Sequence, residues 1–528
     1  MSLSSLPVEI LHEVLQYVET DEDLYNLGLT CKHTHRTAFS AFLKRHKVDD
    51  PTTMRYHFSA YEYSPLLLPI IQGSLWITDI RHFTCGINPG YHRIWKDVGD
   101  LTNIVKKMRS IETMRLGLGQ MDAWTRANTS QVLDEVKWAK CVTALLDAVI
   151  ERGCLTLDID GGDALKRLYI ENANGRDNIQ TRGARKSTKE STFALKKMVP
   201  KIFGRFKKPL HPYIALTSPR LRSVILNRSL MFHASFYPWT LKMFSQNSST
   251  ITRLSLNCFH LPTETTSQFL SSITLPQLNY LDITTFLWLS EHHLTTTHTV
   301  MFCDLVSFFG RHPSIEILDL QGVERPKSLT ALVLETSILP RLKRVVAHPI
   351  WISTLVGSLD MYPDAFTLLE TIGITTEYNV YSDLSDEDRT YELINDALRK
   401  IGQASFARPI TLELQLTTKR GMLKWFDEHS SLGNEGSIIS SLSSVSALVL
   451  TTRFYVCFGR EEVYHLPEWL ALFPELRSVS MTDPRQENDG YRLIDDKPLL
   501  NRIAVECPML EIVNTVNLGT LLDGTDSK

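Results

Sequence analysis

The sequence predicts an α/β chain, with three short N-terminal helices followed by a long array of short parallel strands joined by helices. Three observations predict it. Residues 6–43 carry apolar residues at helical spacing in three short blocks. After residue 100 a phrase of the form apolar-x-x-apolar-x-apolar keeps returning. At 528 residues the chain is also too long for one compact core, which favours several domains or an extended array.

The first helix is expected to start at Pro7, whose missing N–H would be unpaired there anyway. Glu9 is placed to reach back to free backbone donors at the positive helix end. Ile10, Leu11, Val14, Leu15 and Val18 then form one wide apolar face. Thr20-Asp21-Glu22-Asp23 has the Thr-x-x-Asp form that opens a second helix, with Leu24 and Leu27 on its apolar side. Thr30 is expected to cap a third, carrying Ala38, Phe39, Phe42 and Leu43. Forty residues with this much apolar surface need a partner.

Leu6-Pro7-Val8-Glu9-Ile10-Leu11, Asp23-Leu24 with Leu27, and Cys31-Lys32 with Arg36 stand in the order of an F-box, and the segment resembles that family. The bulky residue common after Cys-Lys is replaced by His33-Thr34-His35. The resemblance implies docking on the small S-phase-kinase-associated adaptor of cullin–RING ubiquitin ligases. It assigns adaptor binding to Leu6, Pro7, Ile10, Leu11, Val14, Leu15, Leu24, Leu27 and Cys31. An amphipathic helix set laid in another protein's groove is a common recognition mode. The alternative is a helical cap over the end of a repeat array.

The recurring phrase appears as Ile111-x-x-Met114-x-Leu116, Leu221-x-x-Val224-x-Leu226, Ile251-x-x-Leu254-x-Leu256 and Leu278-x-x-Leu281-x-Ile283. It returns as Ile315-x-x-Leu318-x-Leu320, Leu342-x-x-Val345-x-Ala347 and Leu369-x-x-Ile372-x-Ile374, then at Val445 and Leu476. Leu155-Thr156-Leu157 and Leu412-Glu413-Leu414 read as partial copies, and Leu510-x-x-Val513 as a last one. The starts from 221 to 369 are separated by 30, 27, 37, 27 and 27 residues, the mark of stacked supersecondary units. The closing apolar-x-apolar pair is a short strand with one buried face. Segments such as 300–309 lead back as helices.

This pattern resembles a degenerate leucine-rich repeat of the longer, ribonuclease-inhibitor-like form. The family's Asn or Cys after the strand is mostly missing, with Asn257 and Asn514 near that place. An ordinary α/β domain, whose strands also follow helices, is the competing expectation. On the solenoid reading the variable side chains of the strand face hold a target: Ser255, Asn257, Asp282, Thr284, Asp319 and Gln321, with Arg477 and Ser480 further on. A one-residue slip in register would invert that assignment.

Composition narrows the function. A formal charge of −3 is unlike a nucleic-acid binder, and no apolar run approaches membrane-spanning length. No secretory signal is apparent, and the eight cysteines are scattered without a Cys-x-x-Cys, which suits a reducing cytoplasmic or nuclear setting. Residues 182–208 hold ten Lys/Arg against one Glu, with Phe193, Phe203 and Phe206 interleaved. They read first as a solvated insertion between repeats; the functional alternatives are nuclear import, foremost, and binding of phosphorylated protein or of nucleic acid, for which this segment would be the contact surface. Asp158, Asp160 and Asp163 around Gly161-Gly162 lack the other ligands of a calcium loop. His292, His293 and His298 do not form a metalloprotease pattern. With no phosphate loop and no nucleophile elbow, no catalytic, metal or cofactor site is expected.

The expected organisation is an F-box at 1–48, irregular or divergent early repeats at 49–210 with the basic insertion, and the repeat solenoid at 211–528. The function this implies is substrate recognition for a cullin–RING ligase, without chemistry of its own. A repeat scaffold with no ligase is the alternative.

Overall fold

A computed structural model describes residues 6–46, 48, 55–57, 66–87, 94–118, 135–161, 220–257, 261, 263–284, 300–323, 339–360, 366–375, 385–416, 419–452, 464–482, 496–514 and 516–518. The chain divides into two units, Met1–Leu221 with His233–Trp239, and Arg222–Phe232 with Thr240–Lys528.

The first unit opens with three helices, α1 (Val8–Gln16), α2 (Asp21–Thr30) and α3 (Lys32–Arg45). After strand β1 (Arg55–His57) come α4 (Leu67–Gly73), β2 (Asp79–Ile87), α5 (Ile94–Lys107), β3 (Ser110–Leu118), α6 (Glu135–Glu151) and β4 (Thr156–Gly161). The four strands are parallel and lie side by side in chain order. The second unit repeats the scheme with β5 (Ser223–Asn227), α7 (Tyr237–Asn247), β6 (Arg253–Asn257), α8 (Thr263–Ser272), β7 (Tyr280–Thr284), α9 (Phe302–Arg311), β8 (Ile317–Gln321) and β9 (Arg344–Ala347). It continues through α10 (Pro349–Gly357), β10 (Thr371–Thr375), α11 (Ser385–Gln403), β11 (Ile410–Leu416), α12 (Lys419–Gly436), β12 (Val445–Thr452), α13 (Leu466–Leu470), β13 (Ser478–Thr482) and α14 (Lys497–Glu506). Strands β14 (Ile512–Val513) and β15 (Val516–Asn517) close it as an antiparallel pair.

Strand order decides between the two competing folds. A doubly wound α/β sheet reverses its order at a switch point. Here the strands from β5 to β14 pair in chain order, each parallel to the next. Each strand–helix unit is therefore stacked on the last. An α/β repeat array is the result.

The core is a ladder built from the recurring phrase. Val224, Leu254, Leu281, Leu318, Val345, Ile372, Leu412, Leu448 and Val479 are successive register partners, and each is at most 1% exposed. A second rung of Leu226, Leu256, Ile283, Leu320, Ala347, Ile374, Leu414, Leu450 and Met481 runs two residues later and is also buried. Between α9 and the chain ahead of β7, fully buried His312 donates from Nδ1 to the Phe308 carbonyl and accepts the Leu275 N–H at Nε2.

Three details depart from the sequence reading. The copy placed at Leu155–Leu157 lies two residues later, because Leu157 and Ile159 pair with Met114 and Leu116. A further copy, Ile80-x-x-Phe83-x-Cys85, sits in β2 opposite Ile111, Met114 and Leu116. The short copy at 410–414 has a register shift between Ile410 and Thr411, a bulge that brings its first apolar residue one position closer.

Candidate functional site

The first candidate site is the surface of α1. Pro7 stands just outside the helix as its cap, its carbonyl accepting the Leu11 N–H at 3.0 Å, rather than at the first helical position. Glu9 is exposed in the first turn, and no side chain caps this helix. Thr20 does cap α2, accepting the Asp23 N–H at 3.1 Å and donating to its carboxylate at 2.6 Å. Helix α3 starts later than Thr30 suggests. Cys31 takes an extended backbone (φ −156°) that separates α2 from α3, and the Thr30 hydroxyl donates to the Leu27 carbonyl instead.

Helical geometry splits the apolar residues of α1 into two faces. Leu11 (1% exposed) and Leu15 (2%) turn inward, as does Leu24 of α2 (0%). Ile10 (45%), Val14 (41%) and Tyr17 (84%) lie four and then three residues apart, on one stripe that faces out. Val8 and Pro7 are exposed beside them, while Leu6, Leu27 and Cys31 are half-buried. The domain is pinned from behind. Arg45 at the end of α3 bonds the Glu19 and Val18 carbonyls and the Asp21 carboxylate, which also meets His46 at 2.8 Å. The Cys31 thiol is pulled below its ordinary value by the Thr34 hydroxyl.

The second candidate is the strand face opposite the leucine ladder, where register brings the sequence-predicted residues together. Ser255, Asp282 and Asp319 are successive partners on β6, β7 and β8. Ser255 and Thr284, both buried, donate to the two oxygens of Asp282 at 2.7 Å each. Gln321 donates to Asp319 at 3.2 Å, and Asn257 to Asn227 at 2.6 Å. Burial, and then the neighbouring Asp282, push the Asp319 carboxyl up to about 6.

Four more members of this face were missed in the sequence. The Arg253 guanidinium sits 4.1 Å over the Tyr280 ring. Arg344 of β9 reaches across β10 to Glu413 of β11 with two hydrogen bonds of 3.2 and 2.8 Å. Parity places Arg253 and Tyr280 on this face, whereas Arg344 and Glu413 are 69 residues apart and meet only through register. Arg477 is exposed just before β13, and Ser480 lies half-buried within it.

Among the described residues no group of three His, Cys, Asp or Glu side chains could hold a metal, and no helix is long and apolar enough to cross a membrane. Asp158 forms an ion pair with Arg115 at 3.3 Å. Asp163, His292, His293, His298 and the basic segment 182–208 lie outside the described residues.

Residues 3–49 match the F-box-like family. No curated protein matches the chain. Among solved structures, a leucine-rich-repeat protein of Leptospira interrogans is similar at 9% identity over 89% of this chain and 97% of its own, with a TM-score of 0.27, too slight a likeness to bear on the fold. The matched residues form an F-box-like domain, and the strand–helix units of the second unit form a parallel α/β repeat array.

Proposed function

We propose that the chain is the substrate-recognition subunit of an SCF-type cullin–RING ubiquitin ligase. Its F-box-like domain docks on the S-phase-kinase-associated adaptor, and the strand face of its repeats holds a target protein. The observation that carries this reading is the two-faced first helix, with apolar side chains exposed along an outer stripe of a domain whose inner face is already packed. Pro7, Ile10 and Val14 make the contact, flanked by Leu6, Leu27 and Cys31. Leu11, Leu15 and Leu24 serve it from inside by holding the helices together. On the repeats, Asn257, Asp282, Asp319 and Gln321 meet the target, with Ser255 and Thr284 orienting Asp282.

The work is done by proximity: a target lysine held near a charged conjugating enzyme reacts at a raised effective concentration, with no acid, base or nucleophile from this chain. Such a subunit acts in the cytoplasm or nucleus. A repeat scaffold outside any ligase is the second reading, and it predicts no adaptor binding. A nucleic-acid module acting through 182–208 is the third, and it predicts affinity that falls steeply with salt.

The test is a binding titration of purified adaptor against the full chain and the double variant Ile10→Asp/Val14→Asp. Both positions are exposed, so the folded chain tolerates the charges, whereas Leu15→Asp would place a charge inside the domain itself. Loss of two apolar anchors at an interface centre is expected to weaken binding by about 100-fold or more. Undiminished binding by the variant overturns the assignment of this face.

A further inference from the structure

The residues that depart from the F-box pattern, His33-Thr34-His35, lie where the N-terminal helices meet the next segment of the same unit. Phe39 of α3 is completely buried and belongs to both sides of that meeting. On one side it lies against Gly28 of α2, so closely that a Cβ there would come within 2.2 Å of its ring. It also stacks on Tyr25 with the rings 6.0 Å apart and 7° from parallel. On the other side it meets Gly73 at the end of α4, where a Cβ would stand 3.3 Å from the ring, and Trp76 just beyond, at 6.3 Å.

His35 sits between them. Its ring is 4.5 Å from Phe39 and 5.6 Å, edge to face, from Trp76, while its Nδ1 donates to the Gly28 carbonyl at 2.8 Å. His33 ties the same helix to the Leu6 carbonyl ahead of α1 at 3.1 Å. The turn bearing Gly73 and Trp76 is itself fixed from behind. Lys107, in the last turn of α5, donates to the carbonyls of Ile71, Gln72 and Ser74, at the carbonyl end of α4 where a cation is favoured. The Ser74 hydroxyl donates to Ile70 at 2.7 Å, and Arg109 N–H to Thr78 at 2.6 Å at the start of the β2–β3 pairing.

We propose that the three F-box-like helices and the first strand–helix unit share one core and fold as a single cooperative body, coupled through His35, Phe39 and Trp76. The consequence for adaptor docking rests on the function proposed above. The outer stripe of α1 is presented in fixed form only while the junction is closed, so loosening the junction weakens a contact it never touches. Apparent affinity falls by the fraction of molecules whose docking face is formed. An F-box that is an independent module on a tether would show neither effect.

Hydrogen exchange on the full chain tests the coupling. Trp76→Ala is expected to speed exchange of amides in residues 21–45 by at least tenfold and to weaken adaptor binding several-fold. Strands β6–β8 should stay protected, which separates junction loosening from global unfolding. Lys107→Met, which frees the turn without touching an aromatic ring, should act in the same direction more weakly, and serves if Trp76→Ala fails to fold. Val14→Asp should weaken adaptor binding with exchange in 21–45 unchanged. Unaltered exchange in 21–45 for Trp76→Ala, or for Lys107→Met where it stands in, overturns the proposal. Because exchange is read without adaptor, absent binding by the wild-type chain would count against the proposed function and leave this result intact.

Discussion

At the scale of single residues, the strand face is organised around two carboxylates in direct register, Asp282 and Asp319. Their environments differ. Asp282 accepts two hydroxyl hydrogen bonds, while Asp319 has an amide partner and is desolvated beside a like charge, which holds its carboxyl near 6 against an ordinary 3.8. A raised carboxyl pKa means the native state binds the proton more tightly than the unfolded chain between pH 4 and 6. Ionised Asp319 therefore costs stability above pH 6, and the cost is relieved as pH falls toward 4. Asp319→Asn is expected to stabilise the chain by ~1 kcal/mol at pH 7, after allowance for solvent screening, with no advantage near pH 4. Denaturant unfolding at the two pH values checks it, and a destabilised variant at pH 7 would mean Arg344 and Gln321 matter more than desolvation.

At the scale of elements, the recurring phrase decided most of the fold because its spacing is dictated by the ladder. Every fully spelled copy after residue 200 begins with a residue that is buried and supplies the next two rungs. Leu281→Ala, in the middle of the ladder and without exposed surface, is expected to cost about 2–5 kcal/mol because β6 and β8 cannot both close on the space left. Chemical denaturation of the full chain measures this, and a loss below about 1 kcal/mol would mean the stack relaxes freely. What escaped the sequence has physical causes. β1 is Arg55-Tyr56-His57, with no apolar pair to mark it. β2 has the spacing but fills it with Phe83 and Cys85, and β4 was set two residues early because Leu155 mimics the first rung. In α1 the helical face was legible. Its division into inner Leu11 and Leu15 and outer Ile10 and Val14 was not, since that depends on where α3 lies. The Arg344–Glu413 pair spans three strands and has no local signature.

At the scale of the whole chain, strand order follows sequence order within each unit. A short helical domain with an exposed apolar stripe precedes, in sequence, strand–helix units in which a buried ladder forms the core and the opposite strand face carries polar side chains. Under the function proposed above, such a division would let one end keep a constant partner while the other is shaped to a target. The central claim is that the outer stripe of α1 is an adaptor-docking face, and calorimetric titration of purified S-phase-kinase-associated adaptor into the full-length chain tests it most directly. The account predicts saturable one-to-one binding with a dissociation constant of about 1 μM or tighter, as expected of a specific interface, and a negative heat-capacity change from apolar burial. A titration without saturable binding at concentrations tenfold higher would contradict it and leave a repeat scaffold with an F-box-like cap.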